Sequence, residues 1–244
     1  MLTYLKTEIL RVLRNRRYLL FALAVPVGAY LLFGKALGHG GTVRGIGGTT
    51  FFMVSMAAYS GMLAVVFMGG ARLAAERTRG WTRLLRVTPL PAWGYLATKL
   101  AAALVLALPA ILLVAVTAAI AGPVRLGVGA WTQMVLLMWV GTLPFAAFGI
   151  LVGYLLDTDT AQPVTVVTSM ALALLGGLWM PTASMPDTMR EVAHLLPSYH
   201  LADLGWRAVA GQAPIATDGL VLAAYSLVFA SLAAWRYRRA EARA

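Results

Sequence analysis

Three clusters in this chain hold residue types that could do chemistry. Asp157-Thr158-Asp159 sets two carboxylates two residues apart, the start of a metal or prenyl-transfer site, but such sites need more carboxylates nearby. The pair therefore reads as a solvated turn and helix cap. His194, His200 and Asp203 are metal-ligand types, yet they fall across Pro197, which favours polar-face residues of two surface helices over a metal centre. Gly38–Gly48 is rich in glycine but lacks the Lys-Ser/Thr end of a phosphate-binding loop. There is no His-Glu-x-x-His, no aspartate pair in or beside an apolar run at catalytic spacing, and no Ser–His pair at matching depth. Cysteine is absent, so thiolate metal sites and disulfides are excluded. The expectation is a chain that is not an enzyme, with no catalytic residue, metal or cofactor of its own.

The elements that must position these residues are apolar. Of the 244 residues, 60% belong to the set AVILMFWYC and only 12% are charged, with a mean hydropathy of +0.78. A soluble domain is roughly a quarter charged, so the chain is read as an all-α integral membrane protein. Six runs are apolar enough to cross ~30 Å of hydrocarbon as helices: Tyr18–Leu37, Thr50–Gly70, Leu96–Ala121, Trp131–Leu156, Val164–Met180 and Gly219–Trp235. They are too long for strands and lack period-two alternation. Too little chain remains for a fused nucleotide-binding domain. Pro26, Pro109 and Pro144 fall mid-run and predict kinks. Gly149 and Gly153 have small-xxx-small spacing, read as packing within the chain rather than between copies.

The net charge of +11 is distributed unevenly. Six spans put both termini on one side, and 15 of the 20 basic residues fall there, before the first span, around the second connection and at the C-terminus. By the positive-inside rule that side is cytoplasmic and the protein sits in the cell membrane. The basic clusters read as anchors for anionic lipid, with no domain to hold nucleic acid. A cleaved leader is not expected, since 17 mostly polar residues precede the first run. No Asp, Glu, Arg or His lies in a span interior, and Lys99 and Asp157 are expected near enough to the cytoplasmic ends to snorkel or face water. Ion-coupled carriers usually keep such a group at mid-membrane. An ion-coupled carrier or channel stays as the alternative, because sodium can be held by backbone carbonyls of a broken helix.

Two elements on the basic side do not span. Residues 1–17 carry Leu2, Leu5, Ile9, Val12 and Leu13 at helical spacing opposite Lys6, Arg11 and Arg14, as in a helix lying in the interface plane. Residues 73–90 place Trp81, Leu84, Leu85 and Thr88 on one helical face and Arg79, Arg83 and Arg86 on another, with Pro89 as the stop and Glu76-Arg77 as a charge pair at the start. Such a helix suits either a groove in a cytoplasmic partner or the lipid surface.

Glu76-Arg77-x-x-Gly80-Trp81-x-x-x-Leu85-x-x-Thr88-Pro89-Leu90 resembles the cytoplasmic coupling segment of type 2 ATP-binding-cassette (ABC-2) permeases. The order of elements agrees along nearly the whole chain, and Trp81 replaces the Thr or Ser often found after that glycine. The resemblance implies a six-span transmembrane domain over residues 18–235, an N-terminal interfacial helix over 1–17 and a basic tail over 236–244. It also implies a cytoplasmic cassette ATPase as partner, carrying ATP and Mg, and a second permease, either another copy of this chain or a different one. Glu76, Arg77, Gly80, Trp81, Leu84, Leu85, Thr88 and Pro89 would make the ATPase contact, with Asp157 and Asp159 as a second one. The implied activity is export of a hydrophobic or amphipathic molecule, antibiotic-like or lipid-like.

Ahead of the last span, Ser184 with Asp187 three residues later reads as a capping box, followed by Met185, Met189, Val192, Ala193 and Leu196 at helical spacing until Pro197. Ser198 opens a second piece with His200, Asp203 and Arg207 as a polar stripe and Asp203–Arg207 as an i,i+4 pair. These pieces, within about 184–210, resemble the family's external re-entrant helices; helices resting on the outer leaflet fit the same pattern. Asp218 is read as the N-cap of the last span. Phe51, Phe52, Met53, Met56 and Tyr59 would suit a soft substrate wall or a lipid-facing surface, and no substrate residue is assigned.

Overall fold

The computed structural model describes residues 24–34, 41–80, 92–122 and 124–242. The interfacial helix expected over 1–17 and the coupling residues Trp81, Leu84, Leu85, Thr88 and Pro89 lie outside the described residues.

Helix α1 covers Ala24–Gly34 within the first predicted span. A two-stranded hairpin follows, β1 Thr42–Val43 and β2 Ile46–Gly47, antiparallel with Thr42 opposite Gly47 and Val43 opposite Ile46. Its turn residues, Arg44 and Gly45, have φ of 56° and 79°, the left-handed values that a two-residue hairpin turn requires. Helix α2, Gly48–Gly69, runs on through Gly70 into α3, Ala71–Thr78. At 1.5 Å per residue the pair is about 45 Å long, enough to cross a bilayer and project beyond it.

Helix α4 covers Ala92–Ala121 with Pro109 inside it, as expected. Around Pro109 two α4 carbonyls take bonds from other helices: Trp139 Nε1 donates to Leu104 O (2.8 Å) and Ser60 Oγ to Ala110 O (3.0 Å). The fourth predicted span is two helices, α5 Val128–Gly141 and α6 Leu143–Leu155, separated at Thr142. Pro144 is therefore not a mid-helix kink but a first-turn residue of α6, where its missing N–H leaves nothing unmade.

Helix α7, Thr158–Leu175, begins earlier than the predicted Val164–Met180 and contains Pro163; the chain turns at Gly176 and Gly177 before reaching Met180. A single 3-10 turn, Thr182–Ser184, precedes α8, Asp187–Leu195, then α9, Pro197–Val209, and α10, Ala216–Ala242. The capping box is not formed: Ser184 lies in the 3-10 turn, Pro186 holds the N-cap position of α8 and no side chain caps it.

Four helical stretches among the described residues are long and apolar enough to span a membrane: Gly48–Thr78, Gly94–Ala121, Val128–Leu155 and Ala216–Arg239. The first predicted span is described only over Ala24–Gly34, and α7 opens on the polar sequence Thr158-Asp159-Thr160, which keeps it outside that set.

Helix α2 is the centre of the molecule, packed by α4, α6, α7 and α9. Phe51, Phe52, Met53, Met56 and Tyr59 are buried in that core, so the lipid-facing reading of them is incorrect. Phe51 stacks on Trp206 of α9 at 4.6 Å between ring centroids. Gly149 and Gly153 of α6 face Val66, Gly69 and Gly70 of α2 and its junction, so their spacing serves contacts within the chain. Helix α10 leaves Leu220, Leu227, Val228 and Leu232 exposed, as a lipid-facing surface requires.

Candidate functional site

Polar side chains gather at the two ends of the α2–α3 rod. At the α3 end, Glu76 is buried and does not form the predicted charge pair with Arg77. Its Oε2 accepts from Lys99 Nζ of α4 at 2.5 Å, and Arg72 Nε lies 3.5 Å from Oε1. Lys99 is only 2% exposed, so it does not snorkel; it turns inward because the carboxylate offsets the desolvation of its ammonium group. Arg77 donates to Gly153 O of α6 (2.6 Å) and lies over the Tyr154 ring, 5.3 Å from its centroid.

Beyond this buried layer the polar groups face outward. Gly80, with φ of 74° and open space around a would-be Cβ, follows α3 in the left-handed conformation that favours glycine. Its N–H bonds Arg77 O at 3.0 Å. Thr78 Oγ1 meets Thr158 Oγ1 at 2.9 Å, so the end of α3 and the α6–α7 connection share one surface. Asp157 caps α7 as expected by accepting from the Thr160 N–H at 2.9 Å. That backbone bond, with the Thr160 side chain, holds the Asp157 pKa below the ordinary carboxylate value. Asp159 is exposed in the first turn of α7. Of the predicted contact residues, Asp157 and Asp159 flank Thr158 on that surface, Gly80 follows two residues after Thr78, Arg77 is bound to α6, and Glu76 faces the interior.

At the hairpin end, His200 and Asp203 of the stripe face inward rather than toward solvent, and Arg207 is half-buried. Arg207 Nε donates to Asp203 Oδ2 at 2.7 Å, the expected pair. Arg44 from the hairpin pairs with Asp203 Oδ1, donates to Tyr199 OH (3.1 Å) and covers the Trp206 ring at 5.1 Å from its centroid. Asp218 is not an N-cap: it is buried in the first turn of α10, where His200 Nδ1 meets its Oδ1 at 2.7 Å. His200 Nε2 meets His194 O at 2.8 Å. Both ring nitrogens face acceptors, and an imidazole donates to both only when protonated. Burial alone would pull the His200 pKa down, but the bonds to Asp218 and His194 O and the charges of Asp218 and Asp203 outweigh it and raise the value. His200 thus spends both ring nitrogens on Asp218 and the His194 carbonyl, and the His194 ring stacks on Tyr199 at 4.5 Å.

Sequence reasoning missed Arg44, Lys99 and the pairing of Asp218. The available signals were a lone Arg between glycines in a tight turn and a lone Lys near the start of an apolar run.

Residues 43–235, a stretch that includes both polar layers, match the family model described as "ABC-2 family transporter protein". The chain belongs to the ABC-2 transporter family. It is also 33% identical over 235 residues, 96% of each chain, to the "Putative transport permease YvfS" of Bacillus subtilis (strain 168). This ABC-2 protein is thus a multi-pass membrane transport permease, a transporter subunit rather than an enzyme.

Proposed function

We propose that the permease is the membrane half of an ATP-driven exporter and that ATP and Mg are bound by a separate cytoplasmic cassette ATPase. The observation that carries this reading is the adjacency of Thr78 and Thr158. It supports a single docking surface made by the coupling segment, which continues from Gly80 into residues 81–90, and by the connection bearing Asp157 and Asp159. In this reading Trp81, Leu84 and Leu85 supply apolar burial against the ATPase, and Thr88 and Pro89 complete the contact. The functional unit is a pair of permeases, two copies of this chain or this chain with another, each with six spans and both termini cytoplasmic, in the cell membrane and in contact with its lipids. The cargo is a hydrophobic or amphipathic molecule, antibiotic-like or lipid-like, and the transport is efflux. Among the described residues the buried carboxylates are Glu76 at one end and Asp203 and Asp218 at the other, and the apolar stretch between them supports such cargo over an ion.

Co-expression with candidate cassette ATPases tests the proposal. The permease is expected to retain one of them through purification, and Trp81→Ala with Leu85→Ala to release it and change its ATPase rate. Absence of any retained ATPase, or transport driven by an ion gradient without ATP, overturns it.

A further inference from the structure

We infer that the buried Glu76–Lys99 pair is a positioning link that transmits movement of α3 to α4, and that Glu76 is not a docking contact; this rests on the ATPase-coupling reading above. Helix α3 packs along α6 and α7. Lys99 reaches it from α4, and the chain between these two helices is the coupling segment itself. The ion pair closes a ring across that segment: Lys99 on Glu76 at 2.5 Å, Glu76 beside Arg72, and Arg77 on Gly153 O of α6. Aromatic rings extend the layer. Lys99 lies over Tyr95 of α4 (5.6 Å), and Tyr237 of α10 meets Tyr154 of α6 edge-on at 5.5 Å. A displacement of α3 therefore reaches three long helices within one layer.

The chemistry of the pair favours transmission over stability. A buried ion pair gains little over apolar residues of similar volume, because desolvating both charges offsets their attraction, whereas a fixed register or a switch is its best-attested use. Apolar attraction is non-directional. A short charge-assisted bond in a low dielectric resists both separation and slippage, so its partners move together. Glu76, two residues before the exposed end of α3, is where that property acts on the element that meets the ATPase.

The chain has no cysteine, so Gly129→Cys, at an open position near the start of α5, gives a single labelling site far from α3. The experiment uses the labelled permease with its ATPase in lipid vesicles, read with and without ATP plus vanadate. The parent and Lys99→Arg are expected to show a nucleotide-dependent fluorescence change. Glu76→Gln with Lys99→Met, which removes both charges of the pair together, is expected to bind the ATPase and melt as the parent does, yet to lose the change roughly tenfold. Glu76→Asp, which keeps the charge on a shorter arm, is expected to give an intermediate change and covers the case in which the neutral double variant does not fold. A full response from the neutral double variant, or from Glu76→Asp where the double variant does not fold, overturns the link while leaving the coupling reading intact. Failure of the parent to retain any ATPase overturns both, and is distinguished by the missing complex.

Discussion

Gly69 and Gly149 bring α2 and α6 into backbone contact: a Cβ on Gly69 would lie 2.5 Å from the Gly149 carbonyl carbon and from the Ile150 nitrogen. The obstacle is main chain, which cannot swing aside as a side chain can. Gly69→Ala is therefore expected to destabilise the permease by about 1–3 kcal/mol or more, as other overpacked interiors are. Gly219→Ala, where nothing lies within 4 Å, is the control and is expected to be neutral or slightly stabilising. Thermal unfolding in detergent compares the two.

Arg44 combines an unfavourable backbone with a favourable side chain. Its φ of 56° strains any residue with a Cβ, and its guanidinium is one of two on the buried Asp203. Arg44→Ala and Arg44→Gly both remove the ion pair and are expected to lose roughly 1–3 kcal/mol. The glycine variant is expected to be the more stable of the two by about 0.5–1 kcal/mol, since its greater unfolded-state freedom offsets only part of the relieved strain. Equal unfolding midpoints would mean that the relieved strain only matches the glycine's unfolded-state freedom, and a less stable glycine variant would mean that the turn stores little strain.

The joint at His200 is expected to depend on pH. The folded pKa is raised, so the stabilisation is complete below the unfolded imidazole value of about 6.5 and is lost as pH climbs through the folded value. Hydrogen exchange of α8, α9 and the first turns of α10 is expected to quicken over that rise. Asp218, Asp203, Arg207, Arg44, Tyr199 and His194 are the charged and titratable groups around the ring. His200→Gln, which cannot take up a proton, is expected to remove the pH dependence.

At the other end, Asp157→Ala is expected to fray the start of α7, with faster exchange of the Thr160 amide, while Asp157→Asn keeps an acceptor and the cap. The depressed pKa of Asp157 adds stability above the unfolded carboxylate value and loses it as pH falls through the folded one. Acidification is thus expected to loosen this end while it tightens the joint at His200. Exchange measured at several pH values on one sample reads both trends.

The long apolar runs were legible because backbone in lipid must satisfy its own hydrogen bonds, so length and hydropathy locate helices such as α2, α4 and α10. Boundaries set by local polar chemistry were less so. Helix α7 begins at its Asp157 cap rather than where hydropathy rises, and Pro144 opens a helix instead of kinking one. Helical spacing could not tell that Glu76 faces inward, since its partner Lys99 lies 23 residues away. The stripe His200–Asp203–Arg207 was correct in its spacing and wrong in its surroundings for the same reason: Arg44 and Asp218, the charges that permit its burial, come from remote parts of the chain.

The interruption at Thr142 divides one crossing into two storeys. The upper, α5, leans on α9, while the lower, α6, leans on α2, α3 and α10. Thr142 N bonds Trp139 O at 3.2 Å in a tightened turn, and Pro144 brings no N–H to continue the ladder. The two polar layers of the permease therefore answer to different halves of one crossing, the lower half tied to the α2–α3 rod and the upper to the helix that carries His200.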